Sequence, residues 1–145
     1  MSPFPPVREL LPHTDPMVLV DEVVDAGPEF ARCRVRIGEA SPFCAAGLVP
    51  AAVAIEYMAQ TVGAYAGLRA RSAGLPVRIG YLLGTRDLAL EVDGFAAGEE
   101  LIVEAREVWS DLPLAAFACR VERAGVVVAS ATLNVYQSQG EEPPA

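Results

Sequence analysis

The chain is nearly without histidine, and its few cysteines are scattered. His13 is the single histidine in 145 residues, and Cys33, Cys44 and Cys119 show no CxxC spacing. Structural zinc needs four clustered ligands, so no metal site is expected, and no motif asks for a cofactor. Scattered cysteines suit a reducing compartment, and the expected location is the cytoplasm. Positive charge is short as well: 11 basic residues against 19 acidic ones leave a net charge of −8. That balance argues against nucleic acid and against an acidic membrane surface as partners. The opening MSPFPPVREL lacks an apolar run flanked by basic residues, so no signal peptide is apparent.

What is present is a globular composition, 52% hydrophobic. The length suits one domain, residues 1–145, long enough for a sizeable core. Residues 1–16 read as an irregular, proline-rich arm and 137–145 as a flexible polar tail.

The stretch from Pro50 to Gly74 dominates the pattern. Between Ala51 and Leu68 its polar side chains are Glu56, Gln60 and Thr61, with the hydroxyls of Tyr57 and Tyr65. A surface helix would show a wide polar face; this one predicts a long helix over 50–73, buried nearly all round. Pro50 suits a first turn, Arg69 and Arg71 suit the negative end of the helix dipole, and Gly74 followed by Pro76 is a stop. The stretch nearly spans a bilayer in length, but Glu56 and Gln60 interrupt it and amphipathic strands follow, so no membrane partner is expected.

A carboxylate in such a helix must be paired, protonated or facing a cavity, because an ionised, unpaired one costs several kcal/mol. It serves either as a structural hydrogen-bonding group towards a strand or second subunit, or as a catalytic acid kept neutral by burial. Gln60, four residues on, is placed to orient it. Glu56 is therefore the first candidate catalytic residue.

Along the chain, 17–27 predicts a strand ending at Gly27-Pro28. Residues 29–37 alternate, with Ala31, Cys33, Val35 and Ile37 facing in and Arg32, Arg34 and Arg36 forming a solvated face, so the two read as a hairpin. Residues 38–48 are a loop of small residues. After the helix, 79–92 is strand-like, and Gly84 marks a bulge or a close backbone approach. DGFAAG (93–98) reads as a turn. Three strands follow at 99–109, 114–123 and 126–136, the last with Val127, Ala129, Ala131, Leu133 and Val135 on one face. The order is β-β-α-β-β-β-β, an α+β fold in which an antiparallel sheet wraps one long central helix. One sheet cannot cover every side of that helix, so a second copy is expected.

This order, with these residues, resembles the hot-dog fold and specifically the 3-hydroxyacyl-acyl-carrier-protein dehydratases. LPHTDPMVLVDEVV (11–24) is similar to the family's opening LPHRYPFLLVDRV. SPFCAAGLVPAAVAIEYMAQ (41–60) lies without gaps on the family's GHFPGxPVMPGVLIxEAMAQ, so that EYMAQ falls on EAMAQ while Phe43 and Pro50 coincide. GYLLGTRDLAL (80–90) and AGEEL (97–101) also look like family segments. The resemblance implies a site at a dimer interface in which a histidine removes the C2 proton. A helix carboxylate, here Glu56, protonates the departing C3 hydroxyl, and a backbone N–H near Ala51 polarises the thioester carbonyl. Phe43, Cys44, Gly84 and Gln60 are the further substrate-binding or orienting positions.

The family's histidine falls on Pro42, which cannot accept a proton. His13 lies in the opening segment, which does not hold the family's base, and stands with Cys44 as a possible substitute. The resemblance therefore implies a dehydratase-like protein of fatty-acid or aryl-polyene-type biosynthesis with reduced activity alone. The alternatives are a half-catalytic or non-catalytic subunit paired with a histidine-bearing homologue, an acyl thioesterase using Glu56 on water or thioester, and a plain acyl-binding protein. The expected partners are an acyl carrier protein or coenzyme A thioester and a homo- or hetero-oligomer. Arg69, Arg71, Arg78 and Arg86 either gather near one tunnel mouth to meet an acidic carrier protein or are simply solvated.

Overall fold

Alternating apolar residues and one largely apolar helix give the expected architecture, an antiparallel sheet curved round a helix. The computed structural model describes residues 3–78 and 80–137. The strands are β1 (Glu22–Ala26), β2 (Phe30–Arg36), β3 (Leu48–Pro50), β4 (Gly80–Leu90), β5 (Gly94–Ala96), β6 (Glu100–Asp111), β7 (Leu114–Arg123) and β8 (Val126–Gln137). The helix α1 spans Ala54–Ser72. Six strands form one sheet in the order β1-β2-β6-β7-β8-β4, while β3 and β5 pair separately. Every pairing is antiparallel.

The inward faces of β2, β6, β7 and β8 supply Ala31, Cys33, Val35, Leu101, Val103, Phe117, Val121 and Leu133, all buried. Against them α1 presents Ala54, Tyr57, Met58, Thr61, Ala64 and Tyr65. Each large apolar side chain moved out of water here stabilises the fold by roughly 1.5–3 kcal/mol. The helix packs chiefly on β6 and β2 and less on β7 and β8. Strand β4 lies beyond it at the sheet edge and leaves Leu82, Leu83, Leu88 and Leu90 exposed.

Several boundaries differ from the sequence reading for local reasons. The helix starts as a 3-10 turn, Ala51–Val53, and Pro50 belongs to β3 and precedes that turn. At its other end the stop falls as expected: Gly74 has φ +72°, and Leu75 N donates to Ala70 O at 2.8 Å. The segment 17–21 is not part of β1, which begins at Glu22. The expected turn at 93–98 contains β5, which pairs with β3; Gly94 is required there, since a Cβ would lie 2.6 Å from Val49 O. In β8 a register shift opposite Val121 and Glu122 turns Val127 outward and buries Val128 instead. Gln137, expected in the tail, ends β8; the rest of that tail, 138–145, lies outside the described residues.

The arginines of β2 are not merely solvated. Arg32 Nε lies 2.9 Å from Glu104 Oε1, Arg120 Nε lies 3.6 Å from its Oε2, and Arg34 pairs with Glu22 and Glu100. Glu104 is buried beneath them, a charge compensated by several guanidinium groups.

The described part of the N-terminal arm, from residue 3, packs on the helix. A 3-10 turn at Val7–Glu9 leads Leu10 and Leu11 down onto the helix. A Cβ on Gly67 would sit 2.3 Å from Leu10 O, and one on Gly63 would sit 2.9 Å from Leu11 Cδ2. At Gly67, where the neighbour is backbone, only glycine admits so close an approach, while at Gly63 the Leu11 side chain could shift.

Candidate active site at the open end of the helix stripe

Positions 56, 60, 63 and 67 recur at helical spacing and form one stripe along α1. The arm occupies three of them. Leu10 covers Gly67, Leu11 covers Gly63, and the segment Met17–Val20 is bound by Gln60. Glu56 is the fourth, and it is exposed in the single protomer, as is Ala52 one turn before it. The expectation is of a carboxylate facing a tunnel at a subunit interface, and a single protomer holds only one side of that interface. A lone protomer leaves Glu56 in water, so its burial falls to whatever covers this face.

Gln60 is buried as expected but is not directed to Glu56. Its Oε1 accepts from Leu19 N at 2.8 Å and Val20 N at 3.3 Å, and its Nε2 donates to Met17 O at 2.6 Å. The two side chains share a stripe, but they sit about 40° apart round the axis, enough to put one inside and one outside.

Ala51 is buried, and its N–H donates to Asp93 O at 3.1 Å. That donor is therefore already engaged, so a backbone N–H near Ala51 serving a thioester carbonyl would be a neighbour's. Gly84 sits at the expected bulge of β4, opposite Asn134, and a Cβ there would meet nothing within 4 Å. It makes no close approach, and its strand lies apart from the helix carrying Glu56.

Pro42 is exposed in a turn built by Cys44 N donating to Ser41 O at 3.0 Å and Phe43 N donating to Ser41 Oγ at 3.3 Å. Phe43 and Cys44 are half-buried against the core and anchor this loop. Ala46 (φ 53°) and Gly47 (φ 76°) then make the tight turn into β3. Burial pushes the Tyr57 phenol up to about 12, and the neighbouring Cys44 and Asp21 reinforce it, so Tyr57 stays neutral beside the loop. His13 is exposed in the arm, in sequence between Leu11 at Gly63 and Met17 at Gln60. Three of the four arginines are engaged separately: Arg69 Nη1 donates to Pro28 O at 2.9 Å, Arg71 pairs with Glu9 at 3.1 Å, and Arg86 lies on β4 opposite Thr132.

Sequence reasoning missed the lock at the far end of the helix. Tyr65 Oη lies 2.6 Å from Glu107 Oε2 and 3.0 Å from Pro28 O, with the Arg69 guanidinium 5.6 Å from its ring centre. The only signal was a tyrosine in an apolar helix, which needs a partner for its hydroxyl. A hollow of about 450 Å³ lined by Glu99, Glu100, Ile102, Glu122 and Arg123 lies at the β7–β8 turn and includes no residue of the helix stripe. Among the described residues no helix is long and apolar enough to cross a membrane.

A long helix wrapped by an antiparallel sheet is the hot-dog fold. The chain belongs to the ApeP-like family, ApeP dehydratase, whose profile matches residues 5–143. It is similar to a chain of the dehydratase heterocomplex ApeI:P from Xenorhabdus doucetiae, at 30% identity and a TM-score of 0.89, covering 94% of this chain and 93% of that one. Two more distant likenesses share the fold alone. A hypothetical thioesterase with coenzyme A from Streptococcus pneumoniae is 13% identical with a TM-score of 0.61, covering 81% of this chain and 84% of that one. The protein PH1136 from Pyrococcus horikoshii is 14% identical with a TM-score of 0.66, covering 95% and 98%. A comparison with curated protein sequences finds no match.

Proposed function

We propose that this chain supplies the acid half of a 3-hydroxyacyl thioester dehydratase site, completed across an interface by a homologous subunit that carries the base. The observation that carries the reading is Glu56 exposed on an otherwise apolar helix, while the base position holds Pro42. The similarity to the ApeI:P heterocomplex supports a partner of the same fold. So does β4, an eleven-residue edge strand with four exposed leucines, because long apolar edges are normally covered.

The substrate is a 3-hydroxyacyl chain on an acyl carrier protein or coenzyme A, met in the cytoplasm. The partner's base takes the C2 proton, the C–O bond at C3 breaks, and the Glu56 carboxyl gives its proton to the departing hydroxyl, which leaves as water. The product is the enoyl thioester, and Glu56 regains a proton when the base returns it through solvent. With the Ala51 N–H occupied, the Ala52 N–H is the donor at the helix start left for the thioester carbonyl.

The test is turnover of a 3-hydroxyacyl carrier-protein substrate by this chain alone, by a histidine-bearing homologue alone, and by the two co-expressed. The co-expressed pair is expected to be active, and Glu56→Gln to lower its kcat by about 10²–10⁴-fold. Robust dehydration by this chain alone, surviving His13→Ala and Cys44→Ala, would falsify the shared site. Release of free acid without dehydration would move the assignment to thioesterase.

A further inference from the structure

Gln60 is buried to 1% exposure one turn from Glu56, and both ends of its amide are used on the arm. We infer that Gln60 is a positioning residue, clamping Met17–Val20 on the helix stripe so that the arm forms the wall beside Glu56. This rests on the proposed role of Glu56 as the acid.

The clamp replaces a strand. Residues 17–20 run towards β1, yet the N–H groups of Leu19 and Val20 bond to a side-chain oxygen forty residues away in sequence. The β1–β2 pairing takes over only at Asp21 N, which donates to Arg34 O at 2.8 Å, and at Glu22. One side chain accepts two N–H groups and donates to one carbonyl at a single point, a combination that a neutral amide provides. A carboxylate lacks the donor and a methionine lacks both functions.

The rest of the arm is fixed to the same stripe. Glu9 pairs with Arg71 at 3.1 Å, Leu10 lies on Gly67 and Leu11 on Gly63. Arg8 Nη2, 2.9 Å from Asp15 Oδ2, ties the segment between Leu11 and Met17 back on itself. The last attachment before the open carboxylate is Gln60. If it is released, the arm is held at 63 and 67 but swings free at the position next to Glu56.

Two variants of the assembled complex test this, read by hydrogen exchange of the peptide 10–20, by kcat and KM, and by affinity for a 3-hydroxyacyl-CoA. Gln60→Met keeps the volume and removes the bonds. It is expected to raise exchange in 10–20 by about tenfold or more, and to lower kcat by about tenfold with a smaller change in KM. Gln60→Glu accepts but donates to Met17 O only when protonated. Protection and kcat are therefore expected to recover as the pH falls from about 8 to about 6, while Gln60→Met stays flat. That pH-dependent rescue separates positioning from mere packing, and it decides the question if Gln60→Met does not fold. Unchanged exchange in 10–20, or a loosened arm with unchanged kcat, overturns the inference. If the wild-type complex does not dehydrate, the proposed function fails separately. Exchange and thioester affinity then decide the clamp: a tenfold loss of affinity supports it and no loss overturns it.

Discussion

Cys33 of β2 and Cys119 of β7 are both buried on the inward face of the sheet, and burial pushes both thiols up to about 12 from 9.0. Burial likewise raises the phenols of Tyr57 and Tyr65 to about 12 from 10.0, with Glu107 adding to the shift at Tyr65. A raised folded-state value means the fold favours the neutral form. The stabilisation is complete below the unfolded values and is lost as pH climbs through the interval up to the folded ones. The urea midpoint is therefore expected to fall between about pH 9 and about pH 12, with tyrosinate absorbance appearing as the chain unfolds and not before. A midpoint that stays level over that range would contradict the burial of these four groups. At this scale the sequence was legible where one polar residue stood out among apolar neighbours, and so Glu56 was found. The partners of Gln60 and Tyr65 were not, because they lie 37 to 43 positions away and no local spacing encodes them.

Among the elements, β2 fell where its alternation placed it, and β6 and β7 lie close to the strands expected at 99–109 and 114–123. The pair β3 and β5 was missed because three residues are too few to show a period. One bulge inverted the assignment of Val127 and Val128, since a single inserted residue moves a side chain to the other face. Strand β4 was read as a strand, but not as an edge with its leucines exposed, because exposure depends on where the helix lies. In the proposed complex its hydrogen-bonding edge and Leu83, 60% exposed, would seat the second chain. Leu83→Glu is expected to leave the protomer's circular dichroism and melting cooperativity intact, since nothing is buried there. It should weaken assembly at least tenfold, read by sedimentation over a dilution series, because a charge on an edge strand opposes pairing. Unaltered association would move the interface elsewhere.

In the whole molecule, the order of strands and the single apolar helix were legible from pattern and resemblance together. The half of a site proposed for this chain rests on two positions, Glu56 and Pro42. Two-fold pairing in the proposed complex creates two interface sites, and they are not equivalent. One joins Glu56 to the partner's base; the other places the exposed loop at Pro42 opposite the partner's helix and has no base. Only one site per pair should turn over. Glu56→Gln is thus expected to remove activity by about 10²-fold or more, whereas Pro42→Ala, at the idle site, should leave kcat within about twofold. The measurement is steady-state dehydration by the co-expressed pair carrying each substitution in turn. If Pro42→Ala cost as much as Glu56→Gln, both sites would be working, and the division of labour drawn from the absent histidine would be wrong.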